Sequence, residues 1–168
     1  MSRTIEVTFT QRKVRCRAVL LDDLAPRTCA VLWDALPLEG PAYHAKYARN
    51  EVYALVPAFG QDPGIENPTV TPIPGDLVFF SFSSWQLTAA SHGYDTETAP
   101  DAGQRTVDLA IFYARNNLLL NPDFGFVPGN VFGTITEGLS EFAEAAQDVW
   151  RGGAKGERIR FSRLGAGS

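Results

Sequence analysis

Short runs in which every second side chain is apolar recur through this chain, and they commit most of it to β-structure before any other feature is weighed. From Thr4 to Thr10, Ile5, Val7 and Phe9 share one side while Glu6 and Thr8 share the other, so one face of a strand rests on a core. After a turn at Gln11, Arg12 and Lys13, the residues Val14, Cys16, Ala18 and Leu20 repeat the pattern against Arg15 and Arg17, and residues 4–20 read as an opening hairpin. Glu51 to Val56, Leu77 to Phe82, Val107 to Tyr113, Asn130 to Thr134 and the segment around Ile159 and Phe161 read as further strands, and Tyr43 to Tyr47 as another short one. In the run from Glu51, Val52, Ala54 and Val56 face one way and Glu51, Tyr53 and Leu55 the other.

Two stretches depart from this period. Near Ala25, Asp22 and Asp23 offer carboxylates to the free N–H groups of a helix start, and Pro26 loses nothing in a first turn. Leu32, Ala35 and Leu36 carry that helix on, and Pro37 stops it. Leu139, Phe142, Ala143, Ala146, Val149 and Trp150 form the apolar stripe of a second helix, ended by Gly152 and Gly153. About eight strands with helices only near the two ends cannot be a βαβ repeat. The expected fold is mainly β, a closed eight-stranded antiparallel barrel with two capping helices. Prolines at 57, 63, 68, 72 and 74 make residues 57–76 an ordered loop, and Pro74-Gly75-Asp76 a turn. The polar stretch Ser83 to Arg105 is either a lid or a disordered excursion. A length of 168 residues fits one domain over 1–164, with a frayed small-residue tail at 165–168.

Composition narrows the function classes. An apolar share of 45% supports a real core and excludes a disordered chain. A net charge of −4 with no basic block argues against nucleic acid and anionic membranes as partners. No run approaches the roughly 18 apolar residues of a membrane span, and the charged N-terminus lacks the apolar core of a signal peptide, so a cytoplasmic location is expected. Cys16 and Cys29 read as reduced, semi-buried fillers.

Several segments carry a resemblance. Asp23-Leu24-Ala25-Pro26-Arg27-Thr28 resembles the helix start of cyclophilins, Pro74-Gly75-Asp76-Leu77 resembles their turn before a core strand, and Asn130-Val131-Phe132-Gly133-Thr134 through Leu139 resembles their late strand and turn into the final helix. More closely, His44-Ala45-Lys46-Tyr47, Asn50-Glu51-Val52-Tyr53, Glu66-Asn67-Pro68-Thr69, Ile111-Phe112-Tyr113 and Pro128-Gly129-Asn130-Val131-Phe132 are similar to the bacterial cyclophilin-like DUF3830 family of unknown function. The resemblance implies the same eight-stranded barrel with two capping helices. It also implies a loss: where a cyclophilin isomerase presents an arginine, this chain offers Glu51, which accepts hydrogen bonds where that mechanism needs a donor.

Candidate ligand-binding residues follow from where polar groups fall. Arg49, Glu51 and Tyr53 alternate along one strand and would project a cation, an anion and a phenol together; a solvated strand face is the plainer alternative. Tyr113, Arg115 and Asn116 stand where a strand runs into a polar loop, with Arg115 either a carboxylate clamp or an ordinary strand-end arginine. Glu66 and Asn67 precede Pro68, which favours an extended Asn67 with its amide aimed inward, or else caps the loop. His44 is either structural or a general base. His92, beside Ser91 and near Asp95, lacks the strand-turn-helix elbow a hydrolase triad needs. No metal motif, phosphate loop or cofactor signature is present, so no cofactor is expected. Aromatic residues such as Phe80, Phe82 and Phe124 belong to the core or line an apolar pocket. The expected function is binding of a small polar or carboxylated metabolite, or of a short peptide, in the cleft. The alternatives are a peptidyl-prolyl isomerase and a non-catalytic subunit of an amide-hydrolysing complex, and a homo-oligomer is left open.

Overall fold

A computed structural model describes residues 2–87 and 104–165. His92, Ser91, Asp95 and most of the Ser83 to Arg105 stretch lie outside the described residues, as do the last three residues of the tail. In chain order the elements are β1 (Thr4–Phe9), β2 (Val14–Leu20), α1 (Pro26–Ala35), β3 (Leu38–His44), β4 (Glu51–Pro57), β5 (Pro68–Thr69), β6 (Asp76–Ser83), a 3-10 turn (Ser84–Leu87), β7 (Arg105–Phe112), β8 (Leu120–Asn121), β9 (Gly125–Phe126), β10 (Gly129–Glu137), α2 (Leu139–Gly152) and β11 (Arg158–Arg163).

Eight strands run antiparallel in the order β2-β1-β11-β3-β4-β7-β6-β10. The sheet closes where β10 pairs back onto β2, with Gly133 opposite Leu20 and Thr134 opposite Val19. Closure leaves no long unpaired edge. The two-residue β5 adds to β10 through Thr69 and Pro68, inside the proline-rich segment expected to be loop throughout, and β8 and β9 form a small separate hairpin. Among the described residues the architecture is thus a mainly β barrel with two helices, the fold expected from the sequence.

β3 lies earlier than the expected Tyr43 to Tyr47 strand, because Gly40 and Pro41 hide its alternation in sequence while pairing normally with Ile159 and Arg158. Gly40 is needed there: a Cβ would stand 2.5 Å from the Leu55 carbonyl oxygen. After His44 the chain leaves the sheet, so residues 45–50 form a loop above it.

The interior is filled by one face of each barrel strand and by the apolar sides of both helices. Ile5, Val7, Phe9, Val52, Ala54, Leu77, Leu109, Ile111, Phe132 and Phe161 are all buried there with Cys29 and Leu32 of α1 and Phe142, Ala146 and Val149 of α2. Phe9 and Phe142 stack with centroids 4.5 Å apart, which fastens α2 to the barrel. Trp150, expected on the buried stripe, is 56% exposed and packs one face on His44 at 4.7 Å. Both cysteines are free and buried. No helix of the described residues is long and apolar enough to cross a membrane.

On β1, β2, β3 and β11, buried and more exposed positions alternate, as expected of a sheet with one wet face. β4 and β7 are instead buried almost continuously. Their outer faces, with that of β6, carry a second apolar cluster of Tyr53, Leu55, Val78, Phe80, Ala110 and Phe112. It lies under the loops bearing Ala45, Ala48, Leu87, Leu119 and Val127. Buried Asn117 ties this cover together: its amide donates to the carbonyls of Pro72 at 3.0 Å and Ala114 at 2.8 Å, and its oxygen accepts from the Asn50 N–H at 3.1 Å.

The start of α1 corrects the expectation that Asp22 or Asp23 caps it. The residue at the cap is Ala25, which makes no side-chain cap hydrogen bond, and Asp22 pairs instead with Arg3. The cap comes from Glu66, across the loop. Its carboxylate accepts from the N–H groups of Arg27 at 3.1 Å and Thr28 at 2.8 Å and from the Thr28 hydroxyl at 2.8 Å. Burial opposes the charge, but the Thr28 and Arg27 donors and the Arg27 cation outweigh it and hold the Glu66 carboxyl below its ordinary value. A group whose folded pKa is depressed stabilises the fold above its unfolded value and loses that contribution as pH falls through the folded one. Glu66→Ala is therefore expected to lower stability at pH 7 by about 1.5–3 kcal/mol, the range for hydrogen bonds to a buried charge. In urea unfolding followed by circular dichroism, the gap between variant and parent should close as pH drops below the ordinary carboxyl value of 4.5. An unchanged midpoint at pH 7 would show that the cap contributes nothing.

Candidate functional site

The covering loops do not seal the outer face completely. A hollow of about 100 Å³ remains, floored by Glu51 and Tyr53 of β4, Asp108 of β7, and Phe80 and Phe82 of β6. Its walls are the loop residues Ala45, Lys46, Tyr47 and Ala48, Gln86 and Leu87 of the 3-10 turn, and Leu119 to Asn121, Phe124 and Val127. Gln86 is held by the Ser83 N–H donating to its oxygen at 2.9 Å, and Asn121 by the Asp123 N–H at 2.8 Å. A second hollow of about 290 Å³ shares the walls Phe80, Phe82, Gln86, Phe124 and Val127 and adds Trp85, Phe126 and Pro128. Phe80 and Phe82 lie parallel at 5.5 Å, and Trp85 meets Phe124 edge-on at 5.5 Å. Gly129 gives the Phe80 ring its place: a Cβ at 129 would stand 2.3 Å from Val78 Cγ1 and 2.6 Å from Phe80 Cε1.

Two acids in this apolar floor are its dominant electrostatic feature. Glu51 pairs with Phe112 and Asp108 pairs with Leu55, so the two carboxyls stand at opposite ends of a short stretch of floor with Tyr53 and Ala110 between them. Each residue is only 5% exposed. Burial alone pushes the Glu51 carboxyl up to about 8. Asp108 is raised well above its ordinary value, first by burial and then by the negative charge of Glu51. Asp108 Oδ1 is buried and has no hydrogen-bond partner among the described residues. A carboxyl oxygen left unpaired in an apolar setting costs about 1–3 kcal/mol, which a ligand donor would recover.

Of the candidates read from the sequence, this hollow contains Glu51 and Tyr53. Arg49 does not join them: β4 begins at Glu51, and Arg49 lies before it in the exposed loop with φ +86°, so the alternation assumed for three residues holds for two. Arg115 and Asn116 are exposed, Asn116 has φ +67°, and neither lines the hollow. Tyr113 belongs to the interior cluster. Its hydroxyl lies 2.6 Å from His44 Nε2 and accepts from Gln147 Nε2 at 2.8 Å, tying β3, the end of β7 and α2 together. His44 Nδ1, 2.8 Å from the Ala45 carbonyl, must carry the proton, so Tyr113 donates to Nε2. Burial lowers the His44 pKa and keeps the ring neutral.

Glu66 is taken up by the α1 cap. The Asn67 backbone is left-handed at φ +47° rather than extended, because its amide is anchored by donating to the Val131 carbonyl at 2.9 Å. Asp108, Lys46, Gln86 and Asn121 were missed in the sequence. A detectable signal existed for Asp108, the one charge within Val107-Asp108-Leu109-Ala110-Ile111-Phe112. Among the described residues no cluster of three or more His, Cys, Asp or Glu is placed to hold a metal ion.

No curated protein matches the chain. Among solved structures, McbB in complex with tryptophan aligns over 98% of this chain at 20% identity with a TM-score of 0.63. The alignment covers 46% of McbB, so this chain spans about half its length. A hypothetical protein from Archaeoglobus fulgidus aligns over 97% of this chain and 95% of its own at 19% identity, with a TM-score of 0.48. Identities this low speak to the fold alone. Over residues 7–161 the sequence matches the model of a family described as "Protein of unknown function (DUF3830)", and the chain belongs to that family.

Proposed function

We propose that the protein binds a small, partly apolar metabolite in the hollow on the outer face of β4, β7 and β6. The observation that carries this reading is Asp108 Oδ1, buried and without a hydrogen-bond partner among the described residues, in a floor that apart from Glu51 is built of aromatic side chains. Ligand sites pair an apolar lining with a few oriented polar groups, and this hollow has that make-up. Lys46, exposed at its wall, suits a carboxylate on the same molecule, which keeps a carboxylated metabolite within the reading. The tryptophan held by McbB is a molecule of this general size and polarity, and it belongs among the first compounds to try.

A prolyl isomerase reading is not favoured. No arginine lines the hollow among the described residues, so the guanidinium that a prolyl isomerase aims at the prolyl nitrogen has no counterpart there. The protein is expected to leave the isomerisation rate of a proline-containing test peptide unchanged. Acceleration abolished by Arg49→Ala but retained in Glu51→Ala would reverse that view. For the binding reading, amide NMR spectra titrated with a collection of small metabolites, tryptophan included, should show shifts confined to residues of the hollow; shifts elsewhere only, or none, would refute it.

The acids also set a pH dependence. Glu51 keeps its proton in the fold up to about 8 but loses it near 4.5 when unfolded, so between those values the unfolded chain binds fewer protons and stability falls as pH rises. One pKa unit is worth about 1.4 kcal/mol, so the loss should reach several kcal/mol by pH 9. Glu51→Gln removes the titrating group. It is expected to match the parent at pH 5 and to be the more stable of the two at pH 8.5 in guanidinium unfolding; parallel pH profiles for both would sink this account.

A further inference from the structure

We propose that the ligand is an uncharged, flat aromatic molecule that meets Asp108 through a cis-amide edge, a ring N–H beside a ring carbonyl, and lays its ring on the aromatic floor around Phe80. This rests on the reading of the outer-face hollow as a binding site, and it names the chemistry that site selects.

The position of Asp108 comes first. It pairs with Leu55 of β4 on one side and with Phe80 of β6 on the other, so its carboxyl stands between an aliphatic and an aromatic side chain. Glu51 lies four residues along β4 from Leu55, roughly 13 Å of strand, so a small head group seated on Asp108 does not also sit on Glu51. Burial favours the protonated form of Asp108 and holds the Glu51 proton up to about 8. The other titratable groups lining this hollow are Lys46 and Tyr47 on its wall and Tyr53 in its floor. Near neutral pH, then, Asp108 offers an uncharged carboxyl, with one O–H donor and one carbonyl acceptor side by side.

That pair selects the head group. An ammonium has donors only and leaves the acid's O–H without an acceptor. A carboxylate has acceptors only; it would set its lone pairs against the acid's carbonyl oxygen and bring a charge into an apolar floor. A single hydroxyl cannot meet both positions in parallel. A cis-amide edge presents N–H and C=O together in one plane, meets both, and supplies the partner that the buried Oδ1 lacks among the described residues.

The surroundings select the body. Phe80 and Phe82 lie parallel at 5.5 Å in the floor, and both also line the second hollow, where Trp85 is 61% exposed and Phe126 60% exposed. Aromatic surface left in water on this scale marks a place where something binds, and flat rings stack on it. A lactam built into an aromatic ring fixes its hydrogen-bonding edge and its stacking face in one rigid plane, so little freedom is lost on binding.

Calorimetric and NMR titrations of the full chain near neutral pH test this with 2-quinolone, which carries both parts. Its N-methyl derivative loses the donor, 2-naphthoate exchanges the edge for an anion, and δ-valerolactam keeps the edge without the aromatic ring. 2-Quinolone should bind about tenfold or more tightly than each of the three, because each leaves a buried partner or an aromatic face unmet. Asp108→Leu should cost 2-quinolone about tenfold and leave its N-methyl derivative unchanged. Asp108→Asn, whose carboxamide again sets a donor beside an acceptor, should stay within about threefold of the parent. Trp85→Ala should weaken 2-quinolone severalfold and leave δ-valerolactam as it was. The comparison of 2-quinolone with its N-methyl derivative uses the parent chain, and it decides the matter if a variant does not fold. Equal binding of the N-methyl derivative, tighter binding of 2-naphthoate, loss of binding in Asp108→Asn or full binding in Asp108→Leu overturns the cis-amide assignment while the hollow remains a ligand site. Failure of these probes and of the metabolite collection to shift any residue of the hollow overturns the underlying reading as well.

Discussion

Covering both faces of three adjacent strands is the constraint on which the rest of this structure depends. A closed barrel of eight strands satisfies its own backbone, its interior is filled by the strands together with the two helices, and on the β1, β2, β3 and β11 side the outer face is wetter. On β4, β7 and β6 the outward residues are Tyr53, Leu55, Val78, Phe80, Ala110 and Phe112, too apolar to be left in water. The loop after β3, the 3-10 turn after β6 and the connection between β7 and β10 fold over them. A cover made of loops packs less completely than one made of helices, and the hollow at Glu51 and Asp108 is what their fit leaves open.

The fate of its buried acids shows what distinguishes a structural group from an available one. Glu157 is 1% exposed, and although burial works against its charge, it accepts from the N–H groups of Gln11, Arg12 and Arg158 and from the Arg12 guanidinium, which together hold its pKa low. Glu66 is similarly occupied at α1. Glu51 and Asp108 are buried as deeply, yet their pKa values move the other way, because burial is not offset by donors. Buried polar groups in native folds are nearly always paired, and exceptions concentrate where a protein does something with them.

Much of the fold was legible in the sequence. Period-two alternation locates the hairpin, apolar runs locate β4, β6, β7 and the late strand, and helices only near the two ends argue against a parallel sheet. The errors share one cause, a distant partner prevailing over a local rule. Asp22 and Asp23 satisfy every local requirement of a helix cap, but Arg3 takes Asp22 and Glu66 arrives from 38 positions beyond Thr28. A proline at 68 favours an extended Asn67, but its bond to Val131 sets a left-handed turn. Alternation projected back to Arg49 fails because the strand has not yet begun. The site was half legible: Glu51 and Tyr53 lie on one strand, whereas Asp108 joins them only through the pairing of β4 with β7, which no local pattern announces.

Gly129 gives the barrel an unusual means of adjustment. Because the Val78 and Phe80 side chains occupy the volume where its Cβ would be, the aromatic floor sits as low as it does thanks to a side chain that is missing from the neighbouring strand. A methyl group there would force Val78 or the Phe80 ring to shift, so the shape of the chamber depends on a position that does not itself line it.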